Sequence, residues 1–374
     1  MATAVIHPEG RIETPDPAGD FSLPSLDLRM LARRAAIPAA FAAIAAAVVL
    51  VAGGPLEAFA DALKRAVDAD PRWVAAAAGF ELASFAGYIA LLWLVGNRAS
   101  SRLGLGASTQ ITLGGAAATR LLPTAGVGGA ALTLWALRRS GLETRTATRT
   151  LMTFIVLLYS VFLGSILIAG TVLAIGGDAP LMLTALPAGV AAVGIALALA
   201  AAVRRPRTRE AAGPKVERLR SASAVLGESV RDALGHVRSG DFRLLGAVAW
   251  WGFDAAVLWA MMHAFGAPPA FAIVVLAYFV GQVGNTIPIP GAVSGGLVGV
   301  LLAFGVEADL AITSVLAYRS VAIWLPAPIG LAALSGLRKT IVRWGREPYE
   351  PVAVKPRSHE PRGTWAYREA AVAA

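Results

Sequence analysis

The sequence predicts an all-α polytopic membrane protein, with about six full transmembrane helices and two re-entrant, Pro/Gly-broken helical hairpins in an inverted repeat. Three observations lead to this fold class. The chain is 56% hydrophobic and 15% charged, with a mean hydropathy of +0.64, whereas soluble domains carry roughly 25% charged residues. Lys and Arg residues gather at the ends of apolar segments. Two of the apolar stretches resemble each other, and each contains a Pro/Gly break.

Six apolar segments are close to the roughly 20 residues that a membrane-spanning helix needs. They cover about 35–52, 73–95, 151–175, 180–203, 244–265 and 310–334. A long leader with no convincing cleavage signature precedes the first segment, which favours an uncleaved membrane helix over a signal peptide. Residues 1–28 and 347–374 flank the membrane region, 29–346, and are predicted to be disordered cytoplasmic tails.

Basic residues set the predicted topology. With a cytoplasmic N-terminus, the basic stretches near Arg98, at 138–149, at 204–243 and at 338–346 all face the cytoplasm, as the positive-inside rule requires. This arrangement needs each Pro/Gly-broken region to return to the side from which it entered. Each region is therefore predicted to be a re-entrant pair of half-helices, with both termini cytoplasmic and the protein in the cytoplasmic (plasma) membrane.

The two broken regions share a pattern at a constant offset. The first reads Leu-Leu-Pro-Thr-Ala-Gly-Val-Gly-Gly-Ala at 121–130, and the second reads Ile-Pro-Ile-Pro-Gly-Ala-Val-Ser-Gly-Gly-Leu at 287–297. Pro123 matches Pro290, and three predicted spans separate the two copies, so their orientations are opposite. Non-helical backbone within a bilayer is tolerated only inside protein or beside a wet cavity. The two hairpins are thus predicted to meet at a shared pocket, an arrangement typical of transporters.

The candidate substrate-binding residues lie in and around the two breaks. They are Arg120, Pro123, Gly126, Gly128, Gly129, Asn285, Pro290, Gly291, Ser294, Gly295 and Arg319. A guanidinium at Arg120 or Arg319 suits a phosphate because its planar fork binds two oxygens. Gly291, Gly295 and Gly299 recur every four residues, and the alternative for them is close helix packing.

Glu81 and Asp254 are predicted to balance charge or to carry protons, because an ionisable group in a membrane span usually faces a partner or a wet cavity. Two alternatives stay open for these acids. They form buried ion pairs with the arginines that only fix helix register, or they snorkel toward an interface. Trp250, Trp251 and His263 are predicted to be interfacial anchors.

The connection at 204–243 is predicted to be a basic cytoplasmic loop that contains an amphipathic helix. The apolar residues that fall near one helical face are Val216, Leu219, Leu226, Val230, Leu234 and Val237. Basic side chains at the inner membrane surface attract anionic lipids. The alternative is an ordinary interfacial connector.

Several classes of function are disfavoured by what the chain lacks. It has no cysteine and only four widely separated histidines, which argues against disulfides, thiol nucleophiles and a metal site. The Gly-x-Gly-Gly at 126–129 lacks the lysine of a phosphate-binding loop, and no aromatic and basic platform for nucleic acid occurs. The sequence therefore predicts no catalytic residues, no metal, no cofactor, no nucleic-acid partner and no enzymatic activity.

A set of motifs resembles a known family. The C-terminal motifs are Pro290-Gly291, Gly295-Gly296, Ala303-Phe304-Gly305-Val306, Val315-Leu316-Ala317-Tyr318-Arg319 and Trp324-Leu325-Pro326. Together they are similar to the signature of the lysylphosphatidylglycerol synthase transmembrane (flippase-like) family. Leu122-Pro123 and the stretches 126–129 and 136–142 resemble the family's other Pro/Gly loop, and the resemblance covers roughly 30–340. Members often carry a glutamate after the second Pro-Gly, where this chain has Ala292-Val293-Ser294.

The resemblance implies a domain that moves a lipid between leaflets. About 30 residues follow Trp344, too few for the aminoacyl-transferase domain of the bifunctional members, so we expect a stand-alone member. The predicted function is a lipid flippase or translocase for an anionic phospholipid or a polyprenyl-linked lipid. One alternative is a non-transporting membrane scaffold that binds a partner enzyme at the cytoplasmic loop. Another is a membrane-embedded transferase that acts on a lipid-linked group.

Overall fold

A computed structural model describes residues 69–121, 127–177, 180–203, 214–286 and 291–347. Within these ranges all regular secondary structure is helical. The α-helices are α1 (Pro71–Ala99), α2 (Leu105–Leu121), α3 (Val127–Arg139), α4 (Thr144–Gly176), α5 (Leu181–Val203), α6 (Pro214–Arg238), α7 (Leu245–Phe265), α8 (Phe271–Gln282), α9 (Ala292–Ala303), α10 (Ala308–Trp324) and α11 (Pro326–Arg346). Short 3-10 turns precede α7 at Phe242–Leu244 and follow α8 at Val283–Thr286.

Five helical segments are long and apolar enough to cross a membrane, so the chain is a multi-pass membrane protein. They are Pro71–Ala99, Thr144–Gly176, Leu181–Val203, Phe242–Phe265 and Ala308–Arg346. Each of them contains or matches one of the last five predicted spans. The first predicted span, 35–52, and both tails lie outside the described residues.

The predicted span 310–334 lies within the segment Ala308–Arg346 and contains a helix boundary. Helix α10 ends at Trp324 and α11 begins at Pro326. Proline has no backbone N–H, and its ring collides with the carbonyl four residues earlier, so it interrupts a helix. The N–H of Leu325 still donates to the Val321 carbonyl at 3.2 Å, which keeps the two helices in one segment.

Helices α1 and α7 form an antiparallel pair at the centre of the bundle. Trp73, near the start of α1, stacks on His263, near the end of α7, with ring centroids 4.3 Å apart. Further along, the Ser84 hydroxyl donates to the Trp250 carbonyl at 2.8 Å. A Cβ placed on Gly87 would lie 2.7 Å from the Gly246 carbonyl oxygen. The two backbones therefore approach closely because neither glycine has a side chain.

The order and lengths of the helices repeat at an offset of 167 residues, the spacing from Pro123 to Pro290. Adding 167 to the bounds of α1 to α4 gives 238–266, 272–288, 294–306 and 311–343. The observed elements are Phe242–Phe265, Phe271–Thr286, Ala292–Ala303 and Ala308–Arg346, and each bound agrees within four residues. The correspondence noted in two short motifs thus extends along four helical segments of each half.

Helix α6 is held against α4 and α5 by polar contacts. Two guanidinium nitrogens of Arg149 donate to the Asp232 carboxylate, one of them at 2.7 Å. Arg231 donates to the Ala202 carbonyl at 2.8 Å. These contacts set the rotation of α6, in which Val230 is buried, whereas Leu226 and Val237 are exposed. The last two residues therefore face away from the described protein.

A second polar cluster joins the end of α6 to α1 and α7. Arg98 Nη1 lies 2.7 Å from His236 Nδ1, and because arginine only donates, Nδ1 is the acceptor and the imidazole is neutral. Burial and the nearby Arg98 charge lower the pKa of His236. Asp241 accepts from Arg243 Nη2 at 2.6 Å and from Arg243 Nε at 3.0 Å. The Arg243 guanidinium in turn lies 4.6 Å from the Trp93 ring centroid.

Because of this cluster, we expect the folded protein to lose stability at acid pH. Hydrogen bonding by the Arg243 guanidinium lowers the pKa of Asp241 from 3.8 to about 2. A depressed carboxyl pKa adds stability above the unfolded-state value, and that stability is lost as the pH falls toward the folded-state value. We expect the melting temperature of the protein to fall by about 3 °C more than that of Asp241→Asn between pH 4 and pH 2. Equal falls, measured by thermal unfolding in detergent, would contradict this.

Candidate functional site

A cavity of about 300 Å³ is lined by residues of the α2–α3 pair and by residues at the end of α8. From the first pair it is lined by Thr112, Gly115, Ala116, Thr119, Gly129, Ala130 and Thr133. From α8 it is lined by Gln282, and from the 3-10 turn that follows by Val283 and Asn285. Residues of α1, α4 and α7 complete the wall: Tyr88, Leu92, Leu151, Phe154, Ile155, Leu158, Tyr159, Phe162, Trp250 and Trp251. Residues beside both Pro/Gly breaks thus line one cavity.

Each helix pair contains a close contact between two glycines near its break. A Cβ on Gly129 would lie 2.7 Å from the Gly115 carbonyl oxygen, and a Cβ on Gly296 would lie 3.2 Å from the Gly281 Cα. Gly129 and Gly296 are the residues that match at the constant offset of 167. The repeated motif therefore has a repeated tertiary role, which is to let the two helices of a pair approach.

The glycines predicted to form a packing face behave differently. A Cβ on Gly291, Gly295 or Gly299 would meet no atom of the described residues within 4 Å. Gly291 instead has a positive φ of 82° at the start of α9, a backbone conformation that glycine adopts without steric cost. The packing contact in α9 belongs to Gly296, because the rotation of the helix turns this residue toward α8.

The outer ends of the two helix pairs lie at opposite ends of the bundle. Ser100 precedes α2 and Ser140 follows α3, and the Ser100 hydroxyl donates to the Ser140 carbonyl at 3.4 Å. The α2–α3 pair therefore begins and ends where α1 ends. The residues before α8 and after α9, 266–269 and 304–307, line a second cavity of about 400 Å³ beside the end of α7. Since α1 and α7 are antiparallel, these two places are opposite.

The central cavity is lined by aromatic residues and by small polar residues. The aromatic ones are Tyr88, Phe154, Tyr159, Phe162, Trp250 and Trp251. The polar ones include Thr112, Thr119, Thr133 and the amides of Gln282 and Asn285, and none of the described lining residues is charged. Trp250 and Trp251, predicted to be interfacial anchors, both line this cavity. Trp251 is buried, and its Nε1 donates to the Leu158 carbonyl at 2.8 Å, which fixes the ring inside the bundle.

A chain of hydrogen bonds runs from the cavity to Asp254. Asn285 Nδ2 donates to Gln282 Oε1 at 2.7 Å, and Gln282 Nε2 donates to the Tyr318 hydroxyl at 3.0 Å. The Tyr318 hydroxyl donates to Asp254 Oδ2 at 3.1 Å, and the Tyr278 hydroxyl donates to the same oxygen. Asp254 is only 3% exposed. Two tyrosine hydroxyls are therefore hydrogen-bond partners of this buried acid.

Sequence reasoning missed both tyrosines. Tyr278 lies in an otherwise apolar helix, and Tyr318 was noted only as the neighbour of Arg319. A tyrosine in an apolar span indicates a buried polar contact, because a buried hydroxyl normally finds a hydrogen-bond partner. That the partner is Asp254 follows only from the packing of α7, α8 and α10.

The predicted site residues fall into three groups. Gly129 and Asn285 line the central cavity, and Gly128 directly precedes Gly129. The second group consists of predicted site residues that the structure describes away from the cavity lining. They are Glu81, Asp254, Gly291, Ser294, Gly295 and the half-buried Arg319. Of these, Glu81 is fully buried in α1. Pro123, Gly126 and Pro290 lie outside the described residues, as does the side chain of Arg120.

Glu81 and Asp254 follow Phe80 and Phe253, whose ring centroids are 5.9 Å apart in a stacked arrangement. Both acids therefore lie at one level of the α1–α7 pair.

Comparison with known proteins places the chain in a family. No curated protein matches it. A family model described as the lysylphosphatidylglycerol synthase TM region matches residues 37–330, which is 294 of the 374 residues. The match includes every described residue that lines the central cavity, as well as Asp254 and Tyr318. This chain belongs to the lysylphosphatidylglycerol synthase transmembrane region family.

Proposed function

We propose that the protein moves a lipid between the leaflets of the cytoplasmic membrane, and that the central cavity holds the lipid headgroup. The observation that carries this proposal is one cavity that residues beside both helix breaks line, with polar and aromatic side chains together in its lining. A phospholipid or a polyprenyl-linked lipid likewise combines a polar head with an apolar chain. No catalytic residue is needed for such a step.

In this proposal, α2–α3 and α8–α9 are re-entrant hairpins that enter from opposite membrane faces. Their helices have 17, 13, 12 and 12 residues, or about 25, 20, 18 and 18 Å at 1.5 Å per residue. All are shorter than the roughly 30 Å hydrocarbon core. The antiparallel α1–α7 pair and the offset of 167 residues support an inverted repeat, the architecture of many alternating-access transporters. Both termini and α6 then lie on the cytoplasmic side.

The charged residues have separate roles in this proposal. Arg120, which follows the cavity residue Thr119 in sequence, and Arg319 on α10 hold the lipid phosphate as it passes. Glu81 and Asp254 balance these charges or carry protons. The chain has no nucleotide-binding motif, and the step is proposed to proceed without ATP. Backbone groups around the two Pro/Gly breaks complete the lipid-binding site in this proposal.

The test is lipid exchange in liposomes that contain the purified full chain. Labelled anionic and polyprenyl lipids should exchange between leaflets faster than in protein-free liposomes, and failure with every lipid tried, by folded protein, would overturn the proposal. We expect Arg319→Ala to lower the rate about a hundredfold, because two charge-assisted hydrogen bonds are lost. The matched control is Arg346→Ala at the exposed end of α11, which should exchange normally. An Arg319→Ala protein that fails to fold would make Arg319 structural.

A scaffold function is the second candidate, and α6 favours it. The helix lies in the basic connection 204–243. It exposes the apolar side chains of Val225, Leu226 and Val237. In this second candidate function, a partner enzyme at the membrane binds that surface. Cross-linking of this connection to another protein, together with no lipid exchange, would support the scaffold over the translocase.

A further inference from the structure

We infer that the central cavity opens sideways into the membrane, between the middle of α4 and the 3-10 turn after α8, and that the apolar chains of the bound lipid leave the protein through this opening. The inference rests on the proposed function only in taking a lipid as the occupant. It follows from the exposure of the lining residues, from their depth in the membrane and from the matching place in the other half of the repeat.

Two of the large residues that line the cavity differ from the others in exposure. Phe162 and Trp251 line it and are each 7% exposed, whereas Tyr159 and Val283 line it and are each 47% exposed. Lining the cavity therefore does not by itself expose a large side chain. Ser160, the next residue of α4, is exposed without lining the cavity. The cavity thus reaches the protein surface beside Tyr159 and Val283.

The early end of α8 explains why the opening lies at this level. The rings of Phe162 on α4 and Phe279 on α8 have centroids 5.2 Å apart, so the two helices are in contact there. They start at opposite ends of the bundle and run in opposite directions. Tyr159 lies about one turn before Phe162, and Val283 lies about one turn after Phe279. Since α8 ends at Gln282, no further turn of this helix covers α4 beside Tyr159.

The opening lies at the depth of the lipid hydrocarbon. Tyr159 is eight residues after Leu151 and 16 residues before Ile175, the ends of the predicted span, or about 12 and 24 Å along the helix. A hydrocarbon core of about 30 Å within this span encloses Tyr159 wherever the span is centred. The group that meets the opening from outside is therefore an apolar chain. The headgroup stays among the polar residues of the cavity.

The matching place in the other half of the repeat is closed. Val283 matches Ala116 at the offset of 167, and Ala116 also lines the cavity but is only 8% exposed. Helix α11 covers α2 at this level, because a Cβ on Gly330 would lie 2.6 Å from the Ala117 Cβ. The two halves therefore differ, and the lateral opening belongs to the half in which α8 and α4 separate.

Fluorescent labels on single cysteines test where the opening leads. The chain has no cysteine of its own, so a bimane label on the full chain reports from one position. In liposomes, Tyr159→Cys and Val283→Cys should lose fluorescence to phosphatidylcholine brominated in the middle of its acyl chains, about as strongly as Ile168→Cys, which is exposed on the same span. Aqueous iodide should quench them only weakly, whereas it should quench Arg145→Cys at the exposed start of α4 strongly.

Each other pattern of quenching would overturn the inference. Stronger quenching of Tyr159→Cys and Val283→Cys by iodide than by brominated lipid would show that the opening faces water. Quenching by neither would show that another part of the chain covers it. Both readouts are independent of lipid exchange.

A bulky side chain in the opening tests whether the lipid uses it. Val283→Trp should fill the opening and slow lipid exchange about tenfold. Val172→Trp is the matched control, because it is exposed on α4 and does not line the cavity, and it should exchange normally. Normal exchange by Val283→Trp would overturn the inference. If Val283→Trp does not fold, the label experiment decides.

Two results separate this inference from the proposed function. Quenching of both labels by brominated lipid, without exchange of any lipid, would remove the translocase and leave the lateral opening. Exchange that Val283→Trp does not slow, with both labels quenched by iodide, would do the reverse.

Discussion

Gly87→Ala should lower the melting temperature of the protein by about 3 °C, the consequence of about 2 kcal/mol of overpacking. The new Cβ would lie 2.6 Å from the Ala249 Cβ and 2.7 Å from the Gly246 carbonyl oxygen. Since one of these is a backbone atom, no side-chain rotation relieves the contact. Helices α1 and α7 would have to separate, and they carry Glu81, Asp254 and part of the cavity wall.

Gly79→Ala is the matched control for this substitution. It lies on the same helix, and its Cβ would meet no atom of the described residues within 4 Å. Alanine favours a helix over glycine by about 1 kcal/mol, so Gly79→Ala should unfold at the same temperature as the unmodified protein or slightly above it. Thermal unfolding in detergent, followed by circular dichroism, measures both. Similar decreases in the melting temperatures of the two variants would show that the close approach of α1 and α7 at Gly87 is not the cause.

Gly129→Ala should reduce lipid exchange at least about tenfold in liposomes, at a temperature where the protein is folded. Its Cβ would lie 2.7 Å from the Gly115 carbonyl oxygen, so α2 and α3 must move apart where they line the cavity. Gly296→Ala, with a contact of 3.2 Å to Gly281, makes the equivalent change in the other pair and should have a smaller effect. If the two pairs work as one site, both variants slow exchange.

Gly299→Ala provides the control for the cavity glycines. It lies in α9 three residues from Gly296, is exposed, and has no described neighbour within 4 Å of a new Cβ. Exchange by this variant should equal that of the unmodified protein. Normal exchange by Gly129→Ala would show that the approach of α2 and α3 is not required for transport, and it would weaken the assignment of the cavity as the lipid site.

Much of the architecture was predictable because a bilayer constrains sequence strongly. Every backbone polar group in hydrocarbon must be bonded within the protein, which limits spans to helices of a known length. Four of the five spans within the described part, those from α1 to α7, follow from this.

The side of each helix that faces the rest of the protein was less predictable from the sequence. Helix α7 is apolar around its circumference, so its sequence does not reveal that Trp251 points into the bundle and not toward lipid. For α6 the apolar pattern predicted a helix at the inner membrane surface, and the Arg149–Asp232 contact sets its rotation so that Leu226 is exposed. In both helices, specific partners on other helices decide the orientation.

The sequence by itself determined the class of protein, the spans from α1 to α7 and the constant offset between the two Pro/Gly motifs, because these depend on hydropathy, charge and residue order. Tertiary structure decided the site. It joined Thr119 and Asn285, from distant segments, in one cavity, and it gave Asp254 two tyrosine partners that the sequence did not indicate. The physical reason is that a hydrogen bond needs its donor and acceptor within about 3 Å, and for residues on different helices only the packing of those helices sets that distance.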